Sequence, residues 1–202
     1  MSVHRKKGDR HEADFYSTPL PLVEKMVEIA ALWAPSPETV LEPGCSTAAP
    51  FLAAARKKWP EAAVLGIDFL PKELAVESPA GAVLQFETDY LTWEAPHPFD
   101  LVITNPPFSL AEEFLLTSLR QLTLEGIAVY LLRLGWLGSQ GRYKRLHGPY
   151  PPRAVYVLPA RPSFTSDNGT DAEEYAIYIY GASPANKTEL AWAPWDKPKK
   201  RR

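Results

Sequence analysis

The residues best suited to chemistry in this chain are Asn105-Pro106-Pro107-Phe108. Two successive prolines fix two φ angles and remove two backbone N–H donors. The residue before each proline is pushed out of the helical region. The run predicts a stiff turn that presents carbonyls without competing donors. Asn105 adds a side-chain carbonyl, and Phe108 adds a flat apolar face. That set suits a planar base carrying an amino group, whose hydrogens meet two acceptors while the ring stacks on Phe108. The plain structural reading is a rigid helix entry with Ser109 as N-cap.

A second group lies earlier, at Glu42-Pro43-Gly44-Cys45-Ser46-Thr47-Ala48. A turn of small residues between a strand and a helix lets a ligand approach the backbone closely. The helix N-terminus beyond it offers free N–H groups. A dinucleotide fingerprint would read G-x-G-x-x-G. This turn has one glycine with an acid just before it, and a carboxylate repels a pyrophosphate. A ligand bearing an ammonium group fits better. An acid about 20 residues beyond such a turn is placed to accept from ribose hydroxyls, and Asp68 stands there. Phe69 is placed to pack on a nucleoside base, and Asp89, in Thr88-Asp89-Tyr90, to accept from a purine amino group. Each also has a structural reading: a sterically tight turn, an end-of-strand acid beside a core aromatic, and a loop acid or helix cap.

These groups follow short apolar runs that read as strands: Thr39–Leu41, Ala63–Ile67, Ala82–Phe86, Asp100–Thr104, Ile127–Leu132, Ala154–Leu158 and Tyr175–Tyr180. Helical patterns alternate with them at Leu22–Trp33, Pro50–Lys58, Pro71–Glu77, Leu110–Leu122 and Ser139–Leu146. Alternating strand and helix predicts an α/β domain with a mainly parallel sheet of seven strands. The last two strands have only a loop between them, so the final strand is expected to be antiparallel. Ligands in open α/β sheets bind beyond the carboxyl ends of the strands, and every group above follows such an end.

The 202 residues are 46% hydrophobic and 23% charged, which suits one domain with a good core. We expect residues 1–14 to be a polar, mobile N-terminus, 15–190 the catalytic domain and 191–202 a basic tail. One cysteine excludes a disulfide scaffold, and four scattered histidines show no zinc spacing, so no metal is expected. No apolar run approaches the roughly 20 residues of a membrane span, and the N-terminus lacks the apolar stretch of a signal peptide. A cytoplasmic location is expected. The net charge of −2 hides an acid-free stretch from Gly126 to Ala160 that holds Arg133, Arg142, Lys144, Arg145, His147 and Arg153. Its loop Gly135–Pro152 follows the fifth strand. A basic loop beside a base pocket suits phosphate-backbone contact, although a solvated loop has the same composition. Trp136 reads mainly as core, and Trp192 and Trp195 as packing on the domain.

The ordered blocks FYSTP, LEPGCSTA, GIDF, TDYL and ITNPPF resemble the S-adenosylmethionine-dependent adenine-N6 amino-methyltransferases, in particular the small phage and prophage DNA adenine enzymes. The resemblance covers Phe15 to about Tyr180. It implies a Rossmann-like class I methyltransferase fold. It places Thr18 and Pro19 near the methionine carboxylate and Glu42 and Gly44 along the methionine and ribose, with Tyr16 and Cys45 also among the cofactor-binding residues. Asp68 and Phe69 would take the ribose and cofactor adenine, with Asp89 and Tyr90 at the adenine amino group. Asn105, Pro106, Pro107 and Phe108 would form the catalytic turn, with Asn105 also lining the cofactor. Phe108, Ser109, Trp136, Arg142, Lys144, Arg145 and Phe164 are the substrate-side candidates. The family turn usually reads E-P-G-C-G-T-G, so Ser46 and Ala48 replace glycines and are expected to strain it. The partner implied is nucleic acid, DNA favoured over RNA. A protein-glutamine methyltransferase and a nucleic-acid-binding module without catalysis are the other readings. With no evident target-recognition segment, short or absent sequence specificity is expected.

Overall fold

A computed structural model describes residues 18–71, 73, 81–164 and 172–196. Tyr16, most of the expected helix 71–77 and the basic stretches at both ends lie outside the described residues.

The first helix, α1 (Leu20–Trp33), begins after Pro19, whose carbonyl accepts from the N–H groups of Leu22 and Val23. Its residues Leu22, Val23, Met26, Val27, Ile29 and Ala30 are buried on one face. The repeat at three and four residues makes that stripe. Then follow β1 (Thr39–Pro43), α2 (Pro50–Lys58), β2 (Ala63–Ile67), β3 (Ala82–Gln85) and β4 (Phe99–Thr104). After β4 come α3 (Ala111–Arg120), β5 (Leu122–Arg133), β6 (Ala154–Val157), β7 (Tyr175–Gly181) and β8 (Glu189–Trp192).

All eight strands form one sheet in the order β3-β2-β1-β4-β5-β7-β6-β8. Strands β1 to β5 pair in parallel. Strand β7 runs antiparallel between β5 and β6, as expected from the loop-like sequence before it. Successive side chains of a strand point to opposite faces, and here both faces are covered. Val40, Leu101, Ile103, Val129, Ile177 and Ile179 pack with α1 and α2 on one side. Leu41, Val102, Ala128, Tyr130, Tyr178 and Tyr180 pack with α3 on the other.

Two expectations are corrected at the C-terminal end. The sheet has an eighth strand: β8 pairs in parallel with β6, and Trp195 beyond it is buried with its Nε1 donating to the Ala160 carbonyl at 3.0 Å. Structure therefore continues past residue 190. Trp192 does not pack on the domain; it is 65% exposed on this edge strand. The expected helix 139–146 is a single α-turn at Gln140–Arg142 followed by a π-turn at Tyr143–His147.

Candidate active site

Between β1 and β4 the strand order reverses direction, and in open α/β sheets the crevice that takes a ligand lies beyond the carboxyl ends of the strands at such a point. Glu42 and Pro43 end β1, Asp68 follows β2, Asp89 lies in the loop after β3, and Asn105 follows β4. The Thr104 hydroxyl donates to the Pro43 carbonyl at 2.7 Å, which ties the first turn to the proline turn. Because β7 is antiparallel, its first residue, Tyr175, also reaches this edge, opposite Arg133 at the end of β5.

Glu42 is only 2% exposed. Its Oε2 accepts from the Leu52 N–H at 2.9 Å, inside the first turn of α2. Burial, with Asp68 nearby, holds its carboxyl well above the usual range. Asp68, 5% exposed, accepts from the Ser46 N–H at 2.8 Å through Oδ2 and from the Leu70 N–H at 3.0 Å through Oδ1. A carboxylate has about four lone-pair sites, so each oxygen keeps room for a hydroxyl donor. Phe69 is 51% exposed beside it. Asp89 Oδ1 closes a turn on the Leu91 N–H at 3.1 Å.

The turn after β1 departs from expectation in one place. Gly44 has φ 69°, and Ser46 has φ 54°, so Ser46 is strained as its substitution for glycine predicts. Ala48 is not in the left-handed region; its neighbour Ala49 is, at φ 39°. The strain at the second position therefore sits one residue later, at the entry of α2.

In the proline turn, Asn105 Nδ2 donates to the Thr18 hydroxyl at 3.2 Å, while the buried Oδ1 has no partner among the described residues. The Pro107 carbonyl accepts from the Leu110 N–H at 2.9 Å. A short 3-10 turn, Phe108–Leu110, then leads into α3. Leu110, not Ser109, occupies the N-cap position, with no side-chain cap. Ser109 is exposed. Phe108 lies 6.4 Å from Phe164 and 5.7 Å from Tyr175, ring centre to ring centre, and the Arg133 guanidinium sits 5.2 Å over it. The structure thus brings Phe108 and Phe164 together across 56 positions of chain, and adds Arg133, which sequence reasoning did not place there. Its position at the end of β5 was the available signal.

Several site candidates sit elsewhere. Trp136 is buried in the core on the α3 side, with Nε1 donating to the Tyr180 hydroxyl at 2.9 Å. Arg142 covers its ring at 4.0 Å and donates to its carbonyl at 2.7 Å. Trp136 is packed into the core and Arg142 is laid over it, although Arg142 Nε has no hydrogen-bond partner among the described residues, and this placement corrects their assignment to substrate contact. Tyr90 is buried too, hydrogen-bonded to Ser118 at 2.8 Å, and burial pushes its hydroxyl up. It packs beneath the sheet rather than facing the crevice. Cys45 turns its thiol into the other core, under Gly66, and its N–H donates to the Ile67 carbonyl at 3.2 Å. Burial raises that thiol strongly. Arg145 is paired to Glu112 at 2.6 and 3.0 Å, while Lys144 is exposed.

The strand order and the likeness to solved structures define the fold as that of the class I S-adenosylmethionine-dependent methyltransferases. A type I restriction-modification methyltransferase subunit from Streptococcus thermophilus superposes with TM-score 0.66 at 19% identity, over 91% of this chain and 49% of that one. In sequence the chain is similar to Type II methyltransferases. It is 29% identical to M.CvrRI of Paramecium bursaria Chlorella virus XZ-6E over 112 residues, 54% of this chain and 28% of that protein. It is 36% identical to a Type II methyltransferase of Thermus thermophilus over 97 residues, 48% of this chain and 21% of that protein. The chain thus matches less than a third of the length of either relative. No family model matches it. Among the described residues no helix is long and apolar enough to cross a membrane.

Proposed function

We propose that this chain transfers a methyl group from S-adenosylmethionine to the N6 amino group of adenine in DNA. The observation that carries the reading is Asn105 Oδ1, a buried acceptor without a partner among the described residues, three positions before the aromatic ring of Phe108. A buried unpaired acceptor costs about 1–3 kcal/mol, a cost that an incoming amino group removes.

The crevice fits the cofactor. Its near-buried acids, Glu42 and Asp68, and the left-handed turn at Gly44 suit a cationic amino-acid nucleoside better than a phosphate. Glu42 and Gly44 would line the methionine, Asp68 the ribose, and Phe69 and Asp89 the adenine. When bound, S-adenosylmethionine supplies an electrophilic methyl group on a sulfonium.

Adenine N6 is a poor nucleophile because its lone pair is delocalised into the ring. Asn105 Oδ1 and the Pro106 carbonyl accept its two hydrogens and favour a pyramidal nitrogen with its lone pair free. Thr18 holds the Asn105 amide so that Oδ1 faces the substrate. Phe108, braced by Phe164 and Tyr175, supplies the stacking face. Positioning and preorganised dipoles contribute most of the acceleration. In a duplex the base must leave the stack to reach this turn. No general base is needed before transfer, since the methylated cation loses its proton readily. We also propose low or short sequence specificity, which methylation of duplexes of varied sequence tests.

The test offers methyl-labelled S-adenosylmethionine with duplex DNA, single-stranded DNA, RNA and adenine nucleotides, followed by digestion and mass spectrometry. N6-methyladenine in DNA is the expected product. Label confined to RNA would move the substrate class, and label only in cytosine or in protein would overturn the reading.

A further inference from the structure

Within the acid-free stretch after β5, the most exposed guanidinium has already found an anion. Arg145 Nε and Nη2 meet Glu112 Oε1 and Oε2 at 2.6 and 3.0 Å, a two-point pair. This fork geometry matches a phosphate as well as a carboxylate. Glu112 lies in the first turn of α3, four residues after Phe108, so the pair links the basic loop to the element that carries the proline turn. The Glu112 side chain is 19% exposed, whereas Arg145 is 62% exposed and open to solvent on its outer side. Arg142 stands 3.9 Å from the same carboxylate but is held by Trp136. The exposed Tyr143 and Lys144 flank Arg145 on the same turn.

We propose that Glu112 is a stand-in for a backbone phosphate: it holds Arg145 in place when no nucleic acid is bound and yields it to the phosphate when substrate docks. The inference rests on the reading of nucleic acid as the partner and adds how that partner is admitted. Glu112 orders the loop before binding, and it also competes for the guanidinium. With Arg145 62% exposed, solvent screens the pair to about 0.2–1 kcal/mol or somewhat more for its two-point geometry, and a phosphate, which offers the same fork, displaces it. The counterion released from the nucleic acid makes the exchange favourable at low salt. Lys144 reinforces the same contact as a point charge.

Binding of a fluorescently labelled duplex is measured by anisotropy against salt, with no methyl donor present, for Glu112→Gln, Arg145→Ala and the double variant. Glu113→Gln serves as control, because Glu113 is exposed on the same turn and changes net charge equally without losing the two-point pair. Glu112→Gln should bind about 1.4- to fivefold tighter than Glu113→Gln at low salt, the range that corresponds to an exposed ion pair. Arg145→Ala should bind more weakly, with a salt slope shallower by about 0.9, one phosphate contact. In the Arg145→Ala background the gain from Glu112→Gln should vanish. A gain that persists there, an unchanged slope for Arg145→Ala, or weaker binding by Glu112→Gln each overturns the exchange. A wild-type protein that binds duplex normally while these variants behave alike leaves the nucleic-acid reading standing and removes this inference alone. A wild-type protein that binds no nucleic acid overturns both.

Discussion

Asn105→Ala separates a catalytic asparagine from a structural one, because the two roles predict opposite patterns. The substitution removes the Nδ2 bond to Thr18, worth about 1 kcal/mol, and also removes a buried acceptor that is unpaired among the described residues and costs about 1–3 kcal/mol. The two terms oppose each other. Stability should stay within about 2 kcal/mol of wild type, a shift of no more than about 8 °C in Tm for a chain of this size. Turnover should behave differently. Loss of one preorganised polar contact to the reacting group costs about 2.7–4 kcal/mol, or about 100- to 1000-fold in rate. The assay is single-turnover methyl transfer from labelled S-adenosylmethionine at saturating DNA, read beside thermal melting of the same preparation. A variant that melts near wild type and has lost about 100-fold or more in rate supports the mechanism. Full turnover, or a large loss of stability with rate unchanged, would refute the reasoning, since Asn105 would then serve the fold rather than the chemistry.

Other expectations follow from the same geometry. The folded-state carboxyl of Glu42 is raised, so wild type loses stability as pH rises from the unfolded carboxylate value toward the folded one. Glu42→Gln keeps an acceptor for the Leu52 N–H without the charge, so its Tm should exceed wild type at pH 7.5 and converge with it near pH 4.5; equal differences at both pH values would contradict this. Ser46→Gly relieves a left-handed residue that costs about 1–2 kcal/mol, offset by about 0.5–1 kcal/mol of added chain entropy. It should melt slightly higher than wild type and bind S-adenosylmethionine at least as tightly by calorimetry, and a lower Tm counts against the strain argument. Trp136→Ala empties a buried site and should cost about 3–5 kcal/mol in denaturant unfolding; a near-neutral result would put Trp136 back among the surface candidates.

Much of the architecture is legible in the chain because its causes are local. Continuous apolar runs separated by helical periodicity give the strand and helix sequence, and the absence of a helical pattern in the sequence between β6 and β7 points to the antiparallel strand. The strand β8 escapes notice because Glu-Leu-Ala-Trp is too short for a periodic signal and carries two exposed apolar residues. Its pairing with β6, more than 30 residues earlier, makes it a strand. The helical pattern at 139–146 likewise predicts a helix type that the loop resolves as a π-turn.

The same division runs through the candidate site. Asn105-Pro106-Pro107-Phe108 is determined by sequence alone, since proline geometry acts on adjacent residues whatever surrounds them. Glu42 at the end of β1, Asp68 after β2 and Asp89 in the loop after β3 share one edge of the sheet because strand ends place them there. Only the tertiary structure decided what the long and amphipathic side chains do. Trp136, Tyr90, Arg142 and Arg145 carry the same letters whether they face a ligand or a neighbour. Their fate depends on partners far away in sequence: Tyr180 for Trp136, Ser118 for Tyr90, Glu112 for Arg145. The physical reason is reach. Backbone restriction acts within a residue or two, whereas burial and ion pairing are settled by whichever groups the sheet brings within a few ångströms.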